Sequence, residues 1–490
     1  MLQQAAQPKA AQMDHTDVDE KPIPIKSDFD RIFDTQKNAL LMNGAPSAKE
    51  RIDQLKRLKK SLLIYKDEII DAIDNDFGHR SKDESFFAEI FSSLQTLGHT
   101  TKHVKKWMRP SWRMPGLYFL PALAKVHYQP LGVVGIIVPW NYPLFLMISP
   151  LAYAIAAGNR VIIRMSKCSP KLADVLKRMI GSTFDENQVA LFTGDEISGS
   201  AFTKKPWDHM LFTGSTDAGK HVMRAAADYL TPVTLELGGK SPAIISREVP
   251  MKDAAERIAW GKMLNSGQTC VAPDYVLCPR ERVDDFVNFY RDAIRKMYPT
   301  LKNNPDFTGI ENDQQYSHLK ELIDDATKKG ATFIEINPAN EDFSDIRKMA
   351  PKVVLNTTDD MLVMQKEIFG PLLPVIPYDS IDAAILHVNK RPRPLALYYF
   401  DYNRKNIEYI IQNTFSGGVS INDTMAHVAQ ENMPFGGVGM SGMGKYHGRE
   451  GFLTFSNSKG ILIKPRFNSS KPVYPPYGTM IHKIAKRMFS

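Results

Sequence analysis

Cysteine is scarce in this chain of 490 residues, which contains only Cys168, Cys270 and Cys278. Three scattered cysteines cannot build a disulfide framework, and their low number fits a reducing compartment. The 30 glycines and 32 prolines are ordinary for this length, which excludes a collagenous or low-complexity chain. Because a chain this long buries a large core without covalent cross-links, we expect a globular protein of about two to four domains.

A continuous apolar segment that could cross a membrane is also missing. The longest stretch without a formal charge, Val126–Asn159, is interrupted by glycine, proline and asparagine residues, at Gly132, Gly135, Pro139, Asn141, Pro143 and Pro150. A spanning helix needs about 20 uninterrupted apolar residues. Residues 1–20 carry acids and have no apolar core, unlike a signal peptide. We therefore expect a cytoplasmic protein.

Most of the chain has no charge of one sign in excess. The net charge is +8, and the residues from Lys445 onward contain nine Lys and Arg and one acid, Glu450, an excess equal to that whole charge. The balanced remainder argues against a nucleic-acid-binding domain. For the basic end, residues 466–490, we expect a solvated tail or a subunit-contact helix. Weak attraction to an acidic membrane surface is the alternative.

Histidine lacks the spacing of metal ligands. None of the 12 histidines stands at ligand-like spacing from cysteine or carboxylate residues, and zinc sites need three or four such ligands. No metal site is predicted.

Apolar periodicity organises the rest of the chain. Ser47 and Glu50 form a capping-box pattern, and the helical spacing after them predicts a long helix that ends before Gly78. From Gly132 onward, short apolar runs alternate with helical segments, which is typical of parallel βαβ units. The predicted strands are GVVGIIV, RVIIRM, QVALFTG, HMLFTG, VTLEL and PAIIS, and the predicted helices cover 144–157, 170–180 and 217–229. After Cys270, the runs EIFGPLLPVI, PLALYYF and GGVSIN predict another α/β domain.

Cys270 stands in a Gly-Gln-Thr-Cys loop within GKMLNSGQTCVAPD. A tight loop can present a thiol to a cleft, and a thiolate is a strong nucleophile toward a carbonyl carbon. A buried structural cysteine is the alternative, because most free cysteines behave as small apolar residues. The loop alone leaves both interpretations open.

Glu236 ends the apolar run VTLEL and is followed by Gly238 and Gly239. The carboxyl ends of strands border the ligand crevice in open α/β sheets, and glycines let a ligand approach the backbone. Partial burial would raise the pKa of this carboxyl group and suit it to act as a general base. A helix cap or a salt bridge is the alternative.

Two further loops follow predicted strands. Asn141, in VPWNYP, has a side-chain amide that can donate to a developing oxyanion, and an ordinary Asx turn is its default interpretation. In FTGSTDAGK, Gly214, Ser215 and Gly219 belong to a helix start that can accept phosphate, although it is not the G-x-G-x-x-G fingerprint. Each signal is weak by itself.

Together and in this order, the strings resemble the aldehyde dehydrogenase superfamily over about residues 30–465. The resemblance rests on GVVGIIVPWNYPL, FTGSTDAGK, LELGGKSP, GQTCVAPDY, EIFGPLLPV and PFGGVGMSGMG. FGHRS, WMRP, GQTCVAPDYVL and RPRPLALYYF look most like the coniferyl aldehyde dehydrogenase group, a relative of the class 3 and fatty aldehyde dehydrogenases. The resemblance implies an α/β fold with a Rossmann-type dinucleotide-binding domain, an α/β catalytic domain and a small extension of oligomerisation strands.

The same resemblance implies a division of the chain. We expect a mobile tail over 1–27, a dinucleotide-binding domain over 28–236 with oligomerisation strands inserted at 115–131, and a catalytic domain over 237–425. Residues 426–465 would return to the cofactor domain and add an oligomerisation strand, before the basic tail over 466–490. A homodimer is expected from the class 3-like branch.

The chemistry implied is oxidation of an aldehyde to the acid with NAD(P). Cys270 matches the family's nucleophile, which forms a thiohemiacetal and then a thioester; Asn141 and the Cys270 backbone N–H would hold the oxyanion. Glu236 matches the base that activates water. The implied substrate is an aromatic aldehyde such as coniferyl aldehyde, or a medium- or long-chain alkanal. A CoA-acylating relative and a non-catalytic protein on the same fold are the alternatives. Glu236 argues against the first, and the intact trio of Asn141, Glu236 and Cys270 argues against the second.

Several positions match the family's cofactor contacts. Glu367 matches the residue that holds the nicotinamide ribose, and Phe369 lies beside the ring in relatives. Trp140 and Ser215 match dinucleotide contacts, alongside the glycine-rich helix start.

One string departs from the family. Relatives commonly have K-x-S-E where the adenosine ribose binds, and this chain has Arg164-Met165-Ser166-Lys167. A carboxylate there accepts the ribose hydroxyls and repels a 2′-phosphate, whereas Arg164 and Lys167 could pair with that phosphate. We therefore expect NADP to be used at least as well as NAD. The alternative is that Lys167 points to solvent and NAD binds through Arg164.

Overall fold

The computed structural model describes residues 27–488. Apart from Ser27, the tail predicted over residues 1–27 lies outside the described residues. The helices are α1 Asp28–Asn43, α2 Ala48–Phe77, α3 Lys82–Ser85, α4 Ser92–Trp107, α5 Phe145–Ala157, α6 Pro170–Thr183, α7 Gly199–Thr203, α8 Thr216–Ala227, α9 Met251–Met263, α10 Val283–Met297, α11 Asp313–Lys328, α12 Leu362–Gln365, α13 Ile381–Asn389, α14 Arg404–Asn413, α15 Gly448–Thr454 and α16 Met480–Met488. The strands are β1 Ser111–Arg113, β2 Leu123–Pro130, β3 Val133–Ile137, β4 Arg160–Arg164, β5 Val189–Phe192, β6 His209–Gly214, β7 Val233–Leu237, β8 Pro242–Ile245, β9 Tyr275–Pro279, β10 Thr332–Glu335, β11 Lys352–Leu355, β12 Leu372–Tyr378, β13 Ala396–Phe400, β14 Gly418–Ile421, β15 Gly442–Met443 and β16 Ser456–Ile463.

Strands β3 to β7 form a parallel sheet, and β15 joins its edge in the antiparallel direction. The strand order is β15-β7-β6-β3-β4-β5. Helices cover the sheet, and β3 and β5 are buried along their whole length. The strands predicted from continuous apolar runs are therefore confirmed. The chain adds β4 and β5 on one side of β3 and then β6 and β7 on the other, so the strand order reverses between β3 and β6. A ligand crevice is expected at the carboxyl ends of these two strands.

A second sheet is built from the chain that follows β7. Its order is β10-β11-β12-β9-β8-β13-β14, and all neighbours are parallel except β10 with β11. PLALYYF and GGVSIN contain β13 and β14, and the second half of EIFGPLLPVI lies in β12, so these three strand predictions are confirmed.

A third, antiparallel sheet has the order β1-β2-β16. It joins residues 123–130 to residues 456–463 along eight paired positions. The strand predicted over 115–131 is wrong in its first half, where Leu117–Phe119 form a single 3-10 turn. Pro115 and Pro121 flank that turn, and proline has no backbone N–H to give to a sheet.

Helix α2 begins at the predicted capping box. The Ser47 hydroxyl accepts a hydrogen bond from the Glu50 backbone N–H, and the Glu50 carboxylate accepts one from the Ser47 N–H. The helix ends at Phe77, and Gly78 follows with φ 72°, a left-handed conformation that glycine adopts without strain. Both predicted ends of this helix are confirmed.

A buried ion pair links the end of α2 to the loop after β3. Arg80 Nη1 lies 2.9 Å from Glu89 Oε1, and neither side chain has any exposure. Glu89 Oε2 accepts hydrogen bonds from the backbone N–H groups of Leu144 and Phe145 at the start of α5, where a negative charge is favoured. Arg80 Nη1 also donates to the Asn141 carbonyl at 2.9 Å. The pair therefore fixes the loop that carries Asn141.

The basic end predicted over 466–490 is described as far as Met488 and contains α16, which is exposed. None of the helices within residues 27–488 combines the length and the apolar character needed to cross a bilayer.

Candidate active site

A cleft of about 680 Å³ opens at the carboxyl ends of β3, β6 and β7. The loops after these strands form one wall, and Cys270 with residues 365–369 form the other. The structure brings most of the predicted site residues to this cleft: Trp140, Asn141, Gly214, Ser215, Glu236, Cys270, Glu367 and Phe369. Arg164, Lys167 and Gly219 are not among its lining residues.

A left-handed turn precedes Cys270. Asn265, Ser266 and Gly267 have φ values of 53°, 50° and 75°, a region that residues other than glycine adopt at an energetic cost. A Cβ at Gly267 would collide with the Gly370 carbonyl, so only glycine fits there. Such a turn persists only where its surroundings determine it.

Buried hydrogen bonds provide those surroundings. Gln268 Nε2 donates to the carbonyls of Asn265 and Gly309, at 3.0 and 2.9 Å, and Gln268 Oε1 accepts from the Glu311 N–H. The Asn265 N–H donates to the Glu84 carboxylate. Because these groups are buried, losing one partner would leave another unsatisfied, which makes the turn rigid.

Hydrogen bonds to the backbone carbonyl and to the side-chain amide hold Asn141 beside this turn. Its carbonyl accepts from Arg80 and from Asn265 Nδ2, and its own Nδ2 donates to the Gln268 carbonyl at 3.2 Å. An amide nitrogen has two hydrogens. One is used by Gln268, and the other is available to a substrate oxygen in the cleft.

Glu236 is buried near the end of β7. Within the described residues, neither of its carboxylate oxygens has a hydrogen-bond partner. Burial raises the pKa of this carboxyl group well above its ordinary value, and the Lys445 ammonium opposes that rise. A Cβ at Gly436 would lie 2.8 Å from Glu236 Oε1, so glycine leaves room for this oxygen. A raised pKa makes this carboxylate a stronger proton acceptor than an ordinary glutamate.

The Cys270 thiol is partly exposed to the cleft. Burial raises its pKa to about 12, and the negative charges of Glu367 and then Glu236 add to that rise. The thiol is therefore neutral at physiological pH, and it needs a proton acceptor or an altered environment to become a nucleophile.

Glu367 lies between the cleft and β7. Burial, with a smaller contribution from Asp274, raises the pKa of its carboxyl group to about 8. Glu367 Oε1 accepts a hydrogen bond from the Gly239 N–H at 3.1 Å, and a Cβ at Gly238 would collide with the carboxylate. Gly238 thus makes room for Glu367, and Gly239 supplies a hydrogen-bond donor to it.

The start of α8 faces the same cleft. Ser215 caps the helix by accepting from the Ala218 N–H, and a Cβ at Gly219 would come 2.6 Å from Leu237, so this glycine serves close packing of helix on strand. Thr213 Oγ1 is buried in the cleft wall without a hydrogen-bond partner among the described residues. A helix N-terminus beside glycine and an unsatisfied hydroxyl fits the phosphates of a dinucleotide.

Two aromatic rings, one from the loop after β3 and one from the segment 365–369, line the cleft. Trp140 packs edge-on against Phe369, with ring centroids 5.4 Å apart. Phe369 has φ 52°, a strained conformation for an aromatic residue. Both rings line the same cleft as Cys270 and give part of it an apolar surface.

Arg164 and Lys167 stand apart from this cleft, at and after the end of β4. Arg164 Nε donates to the Ile197 carbonyl at 3.0 Å, whereas the Lys167 side chain is exposed. A Cβ at Gly194 would collide with the Lys167 backbone, which brings the loop after β5 against it. These contacts do not test the expectation that Arg164 and Lys167 bind the 2′-phosphate of NADP together.

Sequence reasoning missed the residues that hold the site. It assigned no role to Arg80, Glu89, Asn265 or Gln268, although FGHRS contains Arg80 and GKMLNSGQTCVAPD contains Asn265 and Gln268. Their contacts join residues far apart in the chain, which no local pattern indicates. No group of three or more His, Cys, Asp or Glu side chains in the described part of the chain could hold a metal ion.

Comparison with known proteins identifies the chain. The model of the aldehyde dehydrogenase family matches residues 12–461. This chain belongs to the aldehyde dehydrogenase family. The "Probable coniferyl aldehyde dehydrogenase" of Pseudomonas aeruginosa is 54% identical over 461 residues, covering 94% of this chain and 96% of the relative. The "Aldehyde dehydrogenase, dimeric NADP-preferring" of Rattus norvegicus is 38% identical, covering 87% and 93%.

A solved structure shares the fold of this aldehyde dehydrogenase. The substrate-bound state of Staphylococcus aureus AldH superposes with a TM-score of 0.88 at 36% identity, covering 95% of this chain and all of that one. The α/β aldehyde dehydrogenase fold expected from the sequence is confirmed. The protein is an NAD(P)-dependent, aldehyde-oxidising enzyme, and the CoA-acylating and non-catalytic alternatives are not favoured.

The carboxylates beside Cys270 predict how its thiol titrates. In Glu367→Gln the pKa of Cys270 falls, because a negative neighbour is removed, and Cys270 is alkylated by iodoacetamide faster at a fixed alkaline pH. Glu236→Gln gives a smaller fall. Peptide mass spectrometry measures the modification of Cys270 alone. Glu335→Gln, on strand β10, is the control and leaves the rate unchanged; an equal rate in Glu367→Gln would contradict the prediction.

Proposed function

We propose that Cys270, Asn141 and Glu236 carry out the oxidation of an aldehyde to its acid. The Cys270 thiol loses its proton to solvent water as its sulfur bonds to the aldehyde carbon, and the oxygen that becomes negative accepts a hydrogen bond from Asn141 Nδ2. The carbon then loses its hydrogen as hydride, its carbonyl reforms, and a thioester with Cys270 results. A bound nicotinamide ring supplies the hydride acceptor. Glu236 then takes a proton from water as the water oxygen bonds to the thioester carbon; the carbon–sulfur bond breaks, and the acid leaves.

The observation that supports this proposal is the unpaired Glu236 carboxylate on the same cleft as Cys270. Keeping a carboxyl group buried without a partner costs stability. A structural Glu would have a hydrogen-bond partner, whereas a base must leave its oxygens available for water. Trp140, Phe369 and the start of α8 line the same cleft, which supports binding of the cofactor there.

Glu236→Gln tests the role of the base. We expect the first equivalent of reduced cofactor to appear as a burst, and the steady-state rate to fall about 100-fold or more, since only thioester hydrolysis loses its base. In the parent enzyme, the pKa of Glu236 lies above its ordinary value of 4.5, so activity is lost as pH falls through that raised pKa. This acidic limb disappears in the variant. An unchanged steady-state rate, or loss of the burst, would contradict the assignment.

We also propose that the enzyme accepts NADP through Lys167 and Arg164. Arg164 ends β4 and Lys167 follows it, and the exposed Lys167 ammonium is available to a 2′-phosphate. The rat relative, which is named NADP-preferring, supports the proposal.

For the substrate we propose an aromatic aldehyde of the coniferyl type, as in the name of the Pseudomonas aeruginosa relative. Tyr142 and Phe435, buried in the core cluster against which Cys270 packs, support an aromatic site.

Steady-state kinetics with both cofactors, each with coniferyl aldehyde and with hexanal, test these two proposals. In Lys167→Glu, kcat/KM for NADP falls about tenfold or more while that for NAD is kept, because the phosphate then meets a negative charge. Lys171→Glu, on α6, is the matched control. An equal loss with both cofactors contradicts the cofactor proposal. A higher kcat/KM for hexanal than for coniferyl aldehyde contradicts the substrate proposal.

A homodimer through the three-stranded sheet is proposed as the working assembly. Trp112, Leu123, Leu462 and Ile463 are large apolar side chains on this sheet that remain exposed in one chain. The rat relative is named dimeric. Light scattering is expected to give twice the 55.2 kDa chain mass, and Leu462→Asp to give a larger share of monomer. A parent enzyme with the mass of one chain would refute the dimer.

A further inference from the structure

The last described helix has two chemically different sides. At 100° per residue, Met480, Ile481, Ile484 and Met488 of α16 fall on one side, and His482, Lys483 and Lys486 fall on the other. In a globular protein, such an apolar side normally packs on the core.

Here the apolar side is left uncovered. Met480 is 78% exposed, Ile484 52% and Met488 64%. Phe467, Tyr474 and Tyr477, in the segment before the helix, are exposed as well. An uncovered cluster of large apolar and aromatic side chains marks a surface that binds something else.

Charge indicates what that partner is. Residues 464–488, which we call the basic segment, contain no Asp or Glu and carry these six Lys and Arg residues: Lys464, Arg466, Lys471, Lys483, Lys486 and Arg487. Lysine is depleted in the cores of protein interfaces, and two copies of this segment would repel each other. Basic side chains beside a one-sided apolar helix with aromatic residues fit an anionic lipid surface.

We propose that the basic segment binds the surface of membranes that contain anionic phospholipids. The nine residues of α16 span about 14 Å, so the helix lies in the plane of the interface and does not cross the bilayer. Its apolar side enters the boundary between headgroups and acyl chains, and its lysines meet the lipid phosphates.

Vesicle flotation with the full chain tests this proposal. The parent enzyme binds vesicles of phosphatidylcholine and phosphatidylglycerol at 3:1 and not vesicles of phosphatidylcholine alone, and added salt weakens binding. Ile484→Asp abolishes binding. Lys483→Glu with Lys486→Glu weakens it at least tenfold, since each lysine near such a surface contributes about fivefold. The matched control, Lys56→Glu with Lys60→Glu on the exposed side of α2, makes the same charge change and binds like the parent.

Two other results would overturn the proposal. Equal binding to both kinds of vesicle, or to neither, excludes recognition of anionic lipid. A fall in the oligomeric mass of Ile484→Asp by light scattering, with no vesicle binding by the parent, assigns the apolar side to a second copy of the chain. Oxidation of a water-soluble aldehyde, measured in every variant, is unchanged because α16 lies outside the cleft; this confirms that each variant is folded.

Discussion

The buried pair of Arg80 and Glu89 is the interaction on which the geometry of the site depends. Both charges are removed from water, so each requires the other, and Glu89 also holds the first turn of α5. Arg80 extends the same network to the Asn141 carbonyl. Asn141 in turn reaches the Gln268 carbonyl in the turn before Cys270. One continuous chain of buried polar contacts therefore positions the Asn141 amide relative to the turn that carries Cys270.

This rigidity is combined with groups that are kept away from their ordinary charge states. Glu236 is buried and has no hydrogen-bond partner among residues 27–488, and the pKa of Cys270 is raised to about 12 by burial and by its carboxylate neighbours. Both conditions disfavour the ionised forms in the free enzyme. Such groups accept or release protons readily once a substrate or cofactor changes their surroundings, which is why strongly shifted pKa values gather at functional sites. Burying these groups lowers the stability of the folded protein, and the packing of the rest of the chain must offset that loss.

The parts of this arrangement that follow from local chemistry were visible in the sequence. A fully buried parallel strand requires a continuous apolar run, so β3 to β7 could be predicted, and with them the positions of Asn141, Gly214 and Glu236 at strand ends. The family strings then pointed to Glu367 and Phe369, although their roles stay proposals. Long-range pairing leaves no local signal: the left-handed turn at Asn265 and the partner of Arg80 could not be found. The strand predicted over 115–122 was wrong because apolar content does not distinguish a strand from a proline-flanked turn.

The edge of the parallel sheet shows a further property of the chain. Strand β7, which carries Glu236, pairs on its outer side with β15, and Gly442 lies opposite Glu236 in this pairing. Proteins are synthesised from the N-terminus, and early domains fold while later residues are still on the ribosome. In a nascent chain, strand β7 therefore remains an unpaired edge of the first sheet until residues 442–443 have been synthesised and can pair with it. The surroundings of Glu236 are thereby completed only when translation is nearly complete, and a truncated product would expose that edge to aggregation.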